Sequence, residues 1–150
     1  MTQPPAADVT GDLGSRLAAL GQALGDREAA HGEALARARQ CAVEIRTLVS
    51  GALEGFHHAA AQAGAPHLRV ALGDIHLDDK HLRAVEFDLT RGRYKAIVVA
   101  KSQGELTLVG PFKVGKTEGP CLSFPFDARD EIERALGTFL ERFLEEAATP

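Results

Sequence analysis

Tryptophan is absent from this 150-residue chain, and aromatic residues of all kinds make up only 5% of it. Sites that stack bases or sugars on aromatic side chains therefore have little material here. The only two cysteines, Cys41 and Cys121, lie far apart in the sequence. Neither belongs to a CxxC pair and each falls in an apolar pattern, which predicts two small buried side chains rather than a metal site or a disulfide.

Long apolar runs are also missing. The first ten residues are polar and contain two prolines, and no stretch reaches the ~18 apolar residues of a membrane span. The sequence therefore predicts neither a secretory signal nor association with a membrane. A formal charge of −4 argues against general electrostatic attraction to nucleic acid. These features predict a soluble cytoplasmic protein with reduced thiols and no nucleic-acid partner.

The pattern of residues 11–64 is helical, and Gly64 is predicted to end this pattern as its C-terminal cap, with Pro66 as a stop. Leu13, Leu17, Leu20 and Leu24 recur at alternating steps of four and three, which is the seam of a coiled coil or a helical hairpin. The same register continues through Arg27, His31, Ala34, Ala38, Cys41, Ile45, Leu48 and Ala52. This seam predicts a homodimer formed through the N-terminal helices, with self-association along residues 13–45.

Glycines interrupt the first part of this pattern. Gly25 can end a first helix and Asp26 can cap a second one, so we expect a short helix followed by a long one. A continuous helix of about 50 residues would be roughly 75 Å long and would demand a partner helix along its length.

The rest of the chain predicts a sheet and a final helix. Residues 67–126 alternate in hydrophobicity between turn residues, which predicts an antiparallel meander of four to five strands. Residues 94–100 are apolar on both faces and are expected at the centre, whereas Pro125 indicates an edge strand. Residues 127–147 predict an amphipathic helix. We therefore expect a flexible tail at 1–10 and a single α+β domain at 11–150.

Residues 110–117, GPFKVGKT, match the pattern of a nucleotide-binding P-loop. In a P-loop a helix starts at the final Lys-Thr pair, and its N-terminal amides hold the phosphates. Here Gly119 and Pro120 follow almost at once, and a strand pattern comes next, so the sequence predicts a strand connection instead. A weaker hypothesis keeps an anion site in this loop, formed by Lys113, Gly115, Lys116 and Thr117.

Histidines supply the weak candidates for a metal site. Glu54 and His57 form a Glu-x-x-His unit beside His58, but dinuclear carboxylate sites need a second such unit, which only a symmetric dimer would supply. Asp74, His76 and Asp78 would share one face of a regular strand. A shift in the apolar phase at Gly73 predicts a bulge or a turn there, which makes that grouping uncertain.

No catalytic set and no cofactor motif can be assembled from the remaining residues, so the sequence leans against an enzyme. We interpret the chain as a small interaction or accessory protein that forms a homodimer and binds a protein partner. Two alternatives stay open: an anion or small-ligand-binding domain that uses the 110–117 loop, and a metal-dependent enzyme that uses the helix-end histidines across a dimer.

Overall fold

A computed structural model describes residues 6–78, 82–115 and 119–148, with the side chains of residues 6–10 excepted. Helix α1 comes first and helix α2 last, with six strands between them, which confirms the predicted α+β class. The chain divides into two compact units, Met1–Glu33 and Ala34–Pro150. The elements are α1 Ala6–Gln62, β1 Ala71–Leu72, β2 His76–Leu77, β3 Ala84–Arg91, β4 Tyr94–Lys101, β5 Glu105–Lys113, β6 Cys121–Pro125 and α2 Arg129–Ala148.

The break expected near Gly25 was wrong, because α1 is a single helix from Ala6 to Gln62. A glycine inside a helix costs about 1 kcal/mol relative to alanine, but it keeps its helical hydrogen bond. A helix ends where the backbone must leave the right-handed region, and after α1 this happens at Gly64, whose φ is 89°. The helix also includes residues 6–10, which were expected in the tail, whereas residues 1–5 lie outside the described part.

The end of α1 is closed by two backbone hydrogen bonds around Gly64. The N–H of Ala65 donates to the carbonyl of Ala60 at 2.8 Å, and that of Gly64 donates to the carbonyl of Ala61 at 3.1 Å. This is the Schellman arrangement, and the glycine makes its left-handed residue possible at no steric cost. The sequence-based prediction of Gly64 as the C-terminal cap is confirmed.

The six strands form one antiparallel sheet in the order β1-β3-β4-β5-β6, with β2 also paired to β3. The predicted central position of β4 and the predicted edge position of β6 are both confirmed. At the opposite edge, β1 and β2 contain two residues each, and Gly73 lies between them. Residues 73–75 lie opposite only Phe87 and Asp88 of β3, so the phase shift seen in the sequence at Gly73 marks one extra residue, a bulge between two short strands.

Both helices pack on the same face of the sheet. The second half of α1 and the apolar side of α2 join the inward side chains of β3, β4 and β5 in one buried cluster. The strand residues alternate accordingly, since Val85, Phe87 and Leu89 are buried whereas Glu86 and Asp88 between them are partly exposed. The largest fully buried side chains include Ile45, Phe87, Leu89, Leu106, Leu108, Ile132 and Phe143.

Polar contacts cross the opposite face, on which no described helix packs. Lys95 Nζ lies 3.4 Å from Asp88 Oδ2, and the hydroxyls of Thr107 and Ser123 are 2.9 Å apart. These contacts join β3 to β4 and β5 to β6. The side chains of this face therefore satisfy one another across neighbouring strands.

Candidate functional site

The octapeptide at 110–117 does not have the architecture of a P-loop. Its first four residues belong to β5, which continues to Lys113, and Val114 and Gly115 form a turn. After residues 116–118, which lie outside the described part, the next element is strand β6 at Cys121. The helix that would hold a phosphate at its N-terminus is therefore missing among the described residues.

Of the four residues predicted to hold an anion, two can be placed. Lys113 is exposed, and its Nζ lies 5.8 Å from the centre of the Tyr94 ring, in a cation–π arrangement. Gly115 is exposed with a φ of 102°. Lys116 and Thr117 lie outside the described residues, so the anion site stays a prediction.

His57 makes a structural contact that occupies its ring. The N–H of Val70 donates to Nε2 of His57 at 3.0 Å, so this nitrogen acts as an acceptor and has no lone pair left for a metal. Burial lowers the pKa of His57, the nearby Arg69 lowers it further, and Glu54 opposes both. Glu54 and His58 are exposed on the same helix.

His76 is occupied in a similar way. Its Nδ1 lies 3.1 Å from the backbone carbonyl of Asp74, and its Nε2 lies 3.1 Å from Oε1 of Glu86. The backbone hydrogen bond to Asp74 is the largest cause that raises the pKa of His76, and Glu86 and Asp88 raise it too, while burial opposes them. Within residues 6–78, 82–115 and 119–148, no group of three or more His, Cys, Asp or Glu side chains is arranged to hold a metal ion.

The two cysteines differ from each other. Cys41 is buried in the core as predicted, and burial raises the pKa of its thiol. Cys121 was expected to be buried and is exposed, because it lies on the edge strand with its side chain on the face that the helices leave open. Both thiols are free. Neither has a histidine partner among the described contacts, so the structure offers no activated nucleophile there.

The leucine pattern of the first unit is the feature that the fold leaves unsatisfied. Leu13, Leu17, Leu20 and Leu24 have 47–57% of their surface exposed. Their spacing puts all four on one stripe of α1, which we call the leucine stripe (Leu13, Leu17, Leu20 and Leu24). In the unit Met1–Glu33, residues 11–30 are all exposed, so no described residue of this unit covers the stripe.

In the second unit, three residues that continue the same register are buried. Ala38, Cys41 and Ile45 are buried in the core against the sheet of their own chain. These positions are therefore not available to a second helix, whereas the homodimer predicted along residues 13–45 stays a prediction. What remains for a partner is the leucine stripe.

The helix that carries the stripe is intrinsically weak. Five glycines, at 11, 14, 21, 25 and 32, fall between residues 6 and 33, and each costs about 1 kcal/mol relative to alanine. Isolated helices are marginal in water, and most helical stability in proteins comes from packing of an apolar face. A helix with this composition is thus expected to need a surface on which its leucines can pack.

The exposure of Leu122 was not predicted from the sequence, although the sequence contained a signal for it. The pattern of residues 121–126 identified an edge strand, but it did not show that Leu122 would stay 56% exposed on the helix side of the sheet. The absence of any charged residue from β6, Cys121–Pro125, was the available clue, since native edge strands are usually protected by charges.

Among the described residues, neither helix combines the length and the apolarity that crossing a bilayer requires. No protein-family model matches the chain, and neither does any curated protein or any solved structure.

Proposed function

We propose that this is a cytoplasmic interaction protein that self-associates through the leucine stripe and presents its α+β unit to a protein partner. The observation that carries the proposal is the exposure of all four leucines on a helix whose described residues 11–30 are all exposed. Two such helices would bury the stripes against each other, as apolar seams do in helical pairs. No catalytic residue and no cofactor belong to this proposal.

The energy available from the stripe favours a weak dimer. Complete burial of a leucine contributes about 1.5–3 kcal/mol, so covering the exposed half of each side chain contributes roughly 1 kcal/mol. Four leucines from each copy then supply on the order of 8 kcal/mol, against an association cost of about 4–15 kcal/mol. The dimer is therefore expected to form only at higher protein concentration. Formation of the dimer should also stabilise the glycine-rich helix that carries the stripe.

Hydrogen–deuterium exchange tests this locally. In the full chain at tens of micromolar, amides of residues 11–24 should exchange slowly, and dilution should accelerate them while the core strands stay protected. The double variant Leu17→Glu/Leu20→Glu should exchange fast at every concentration, because each glutamate would place a charge in the apolar seam.

The matched control is Ser15→Glu/Ala18→Glu, which adds the same two charges, also three residues apart, to the same helix on the side away from the stripe. It should leave the protection of residues 11–24 unchanged. Exchange of this segment that is equally fast in the wild type and in both variants, with no dependence on concentration, would show that the stripe has no partner of its own kind.

A further inference from the structure

The two edges of the sheet are not equivalent. At one edge, β1 and β2 are two-residue strands separated by a bulge, which blunts that edge against further pairing. At the other edge, β6 is a five-residue strand, Cys121–Pro125, without a charged side chain. Cys121, Leu122 and Ser123 are all exposed. The β6 edge thus lacks the charges with which proteins keep such strands apart.

The hydrogen bonds to β5 show which groups of β6 point away from the sheet. Gly110 donates to the carbonyl of Pro120, and Phe126 donates to the carbonyl of Gly104, so even-numbered residues of this segment bond to β5. In an antiparallel ladder the bonding residues alternate. The odd-numbered residues Cys121 and Ser123 therefore direct their N–H and C=O groups outward, as Pro125 does with its carbonyl.

We infer that two copies of this chain pair antiparallel through β6, with Ser123 on the two-fold axis. In this register Ser123 lies opposite Ser123 of the second copy and exchanges two hydrogen bonds with it. Cys121 lies opposite Pro125 of the second copy, so the Cys121 N–H meets the Pro125 carbonyl. Both outward N–H groups of β6 are then satisfied in each copy, and the missing N–H of proline leaves only the Cys121 carbonyl to water.

The same register also matches the apolar side chains. Leu122 and Phe124 lie on the helix side of the sheet, where they pair with Leu108 and Leu106 of β5. Across the two-fold axis, Leu122 of one copy lies opposite Phe124 of the other, in the closely spaced type of antiparallel pair. The side chain of Leu122, which is 56% exposed in a single copy, thereby gains an aromatic neighbour.

An apolar groove continues this surface. Leu122 borders a cavity of about 250 Å³ between β5, β6 and α2, which is lined mostly by apolar residues (Leu108, Pro120, Ala135 and Phe139) and also by Thr138 and Arg142. Pairing through β6 brings the corresponding groove of the second copy alongside it, so the apolar wall continues across the two-fold axis. The pairing is independent of the leucine stripe, because it involves the second unit alone.

Disulfide cross-linking tests the register. In the variant Cys121→Ser/Ser123→Cys, the two introduced cysteines would have Cα atoms about 5.5 Å apart across the axis, which is within disulfide range. Mild oxidation should therefore give a covalent dimer. In this register the Cys121 residues of the two copies are offset by four residues along the strands, roughly 14 Å at 3.4 Å per residue. Wild-type Cys121 should therefore give no covalent dimer.

Random collision is controlled by Gln103→Cys in the same Cys121→Ser background, since Gln103 is exposed in the turn between β4 and β5. Cross-linking at position 123 should be at least about tenfold faster than at position 103, because the pair is held at bonding distance. Equal rates at the two positions, or efficient cross-linking through wild-type Cys121, would overturn the register.

Mass measurement separates this pairing from the leucine stripe. In the full-length Leu17→Glu/Leu20→Glu background, the chain should still form a dimer at tens of micromolar. Adding Ser123→Pro should weaken this dimer by more than about tenfold, since it removes both central hydrogen bonds. The N–H of Ser123 makes no hydrogen bond to β5, so a proline at this position leaves the backbone hydrogen bonds between β5 and β6 intact. Ser123→Ala keeps the N–H and should stay within about threefold of its parent.

Circular dichroism of each variant checks that the fold is retained. A Leu17→Glu/Leu20→Glu chain that is a folded monomer at these concentrations would overturn the β6 pairing, whatever the leucine stripe does. Failure of the leucine stripe is detected separately, by the deuterium uptake of residues 11–24 in the wild type.

Discussion

Replacing His57 with alanine is expected to destabilise the second unit, although the residue is only partly buried on the outside of a helix. Its Nε2 accepts the hydrogen bond from the N–H of Val70 at 3.0 Å, and Val70 is itself buried. This contact fastens the chain that leaves α1 to the helix just before β1 begins. Alanine would leave the Val70 N–H without its acceptor.

The size of the effect follows from this unsatisfied donor. Leaving a buried N–H unpaired costs about 1–3 kcal/mol, and the partial exposure of this site favours the lower part, about 1–2 kcal/mol. For a protein of this size, each kcal/mol lowers the melting temperature by about 2–4 °C, so His57→Ala should melt roughly 2–8 °C below the wild type.

Lowering the pH should remove the stabilisation by the His57–Val70 hydrogen bond from the wild type as well. Burial is the main cause that lowers the pKa of His57 below 6.5 in the folded state, with Arg69 adding to it and Glu54 opposing it. The unfolded chain therefore binds this proton more readily than the folded one. The stabilisation is fully present above pH 6.5 and decreases as the pH falls below it, because protonation removes the acceptor from Nε2. The difference between the wild type and His57→Ala should shrink from pH 7.5 to pH 5.5.

His58 provides the control, since it is the next residue on the same helix and is exposed. His58→Ala makes the same substitution without touching the Val70 contact, so its melting temperature should match that of the wild type at both pH values. Thermal unfolding followed by circular dichroism measures all three proteins. If His57→Ala and His58→Ala melted together, the hydrogen bond to Val70 would contribute no net stability and the reasoning would fail.

Two further predictions concern His76 and the thiols. The backbone carbonyl of Asp74, together with Glu86 and Asp88, raises the pKa of His76, so its contribution to stability is present below pH 6.5 and is lost as the pH rises through the raised value. His76→Gln should therefore lower the melting temperature at pH 5.5 by about 1–4 °C more than at pH 8, and equal losses at both pH values would contradict this. A thiol reagent should modify exposed Cys121 quickly and buried Cys41 only after unfolding, and two fast equivalents in the folded protein would contradict the burial of Cys41.

The periodic parts of the fold were predictable because burial imposes a period on the sequence. The stretch at 94–100 is apolar on both faces and became the central strand β4, and Gly64 ended α1 as expected. The break predicted near Gly25 was wrong because a glycine weakens a helix without ending it. Only the rest of the structure decides whether the chain turns at such a residue. The irregularity at Gly73 was visible as a change of phase, but whether it would be a bulge or a turn depended on pairing with β3.

The contacts of the histidines were beyond the sequence for a different reason. His57 meets Val70 and His76 meets Glu86 across turns and strands, and such pairs have no fixed spacing along the chain. The octapeptide GPFKVGKT was visible in the sequence, but its match to the P-loop pattern is not sufficient for a nucleotide site. A P-loop also needs a helix that starts at its final Lys-Thr pair. In the structure the first half of this motif is part of β5, so its residues serve a sheet ladder.

The two proposed contacts share a physical origin and make a joint prediction about assembly. In each, the described residues of a single copy leave a surface open: the leucine stripe is exposed, and the β6 edge carries no charged side chain. Each contact is isologous, since it pairs a surface with the same surface on a second copy. If different copies fill the two contacts, the wild type must grow beyond a dimer as its concentration rises, whereas Ser123→Pro and Leu17→Glu/Leu20→Glu must each stop at a dimer. If one pair of copies makes both contacts, the wild type stays a dimer and either variant alone only weakens it. Sedimentation velocity across a concentration series distinguishes these two cases, and a wild type that is monomeric throughout would refute both contacts.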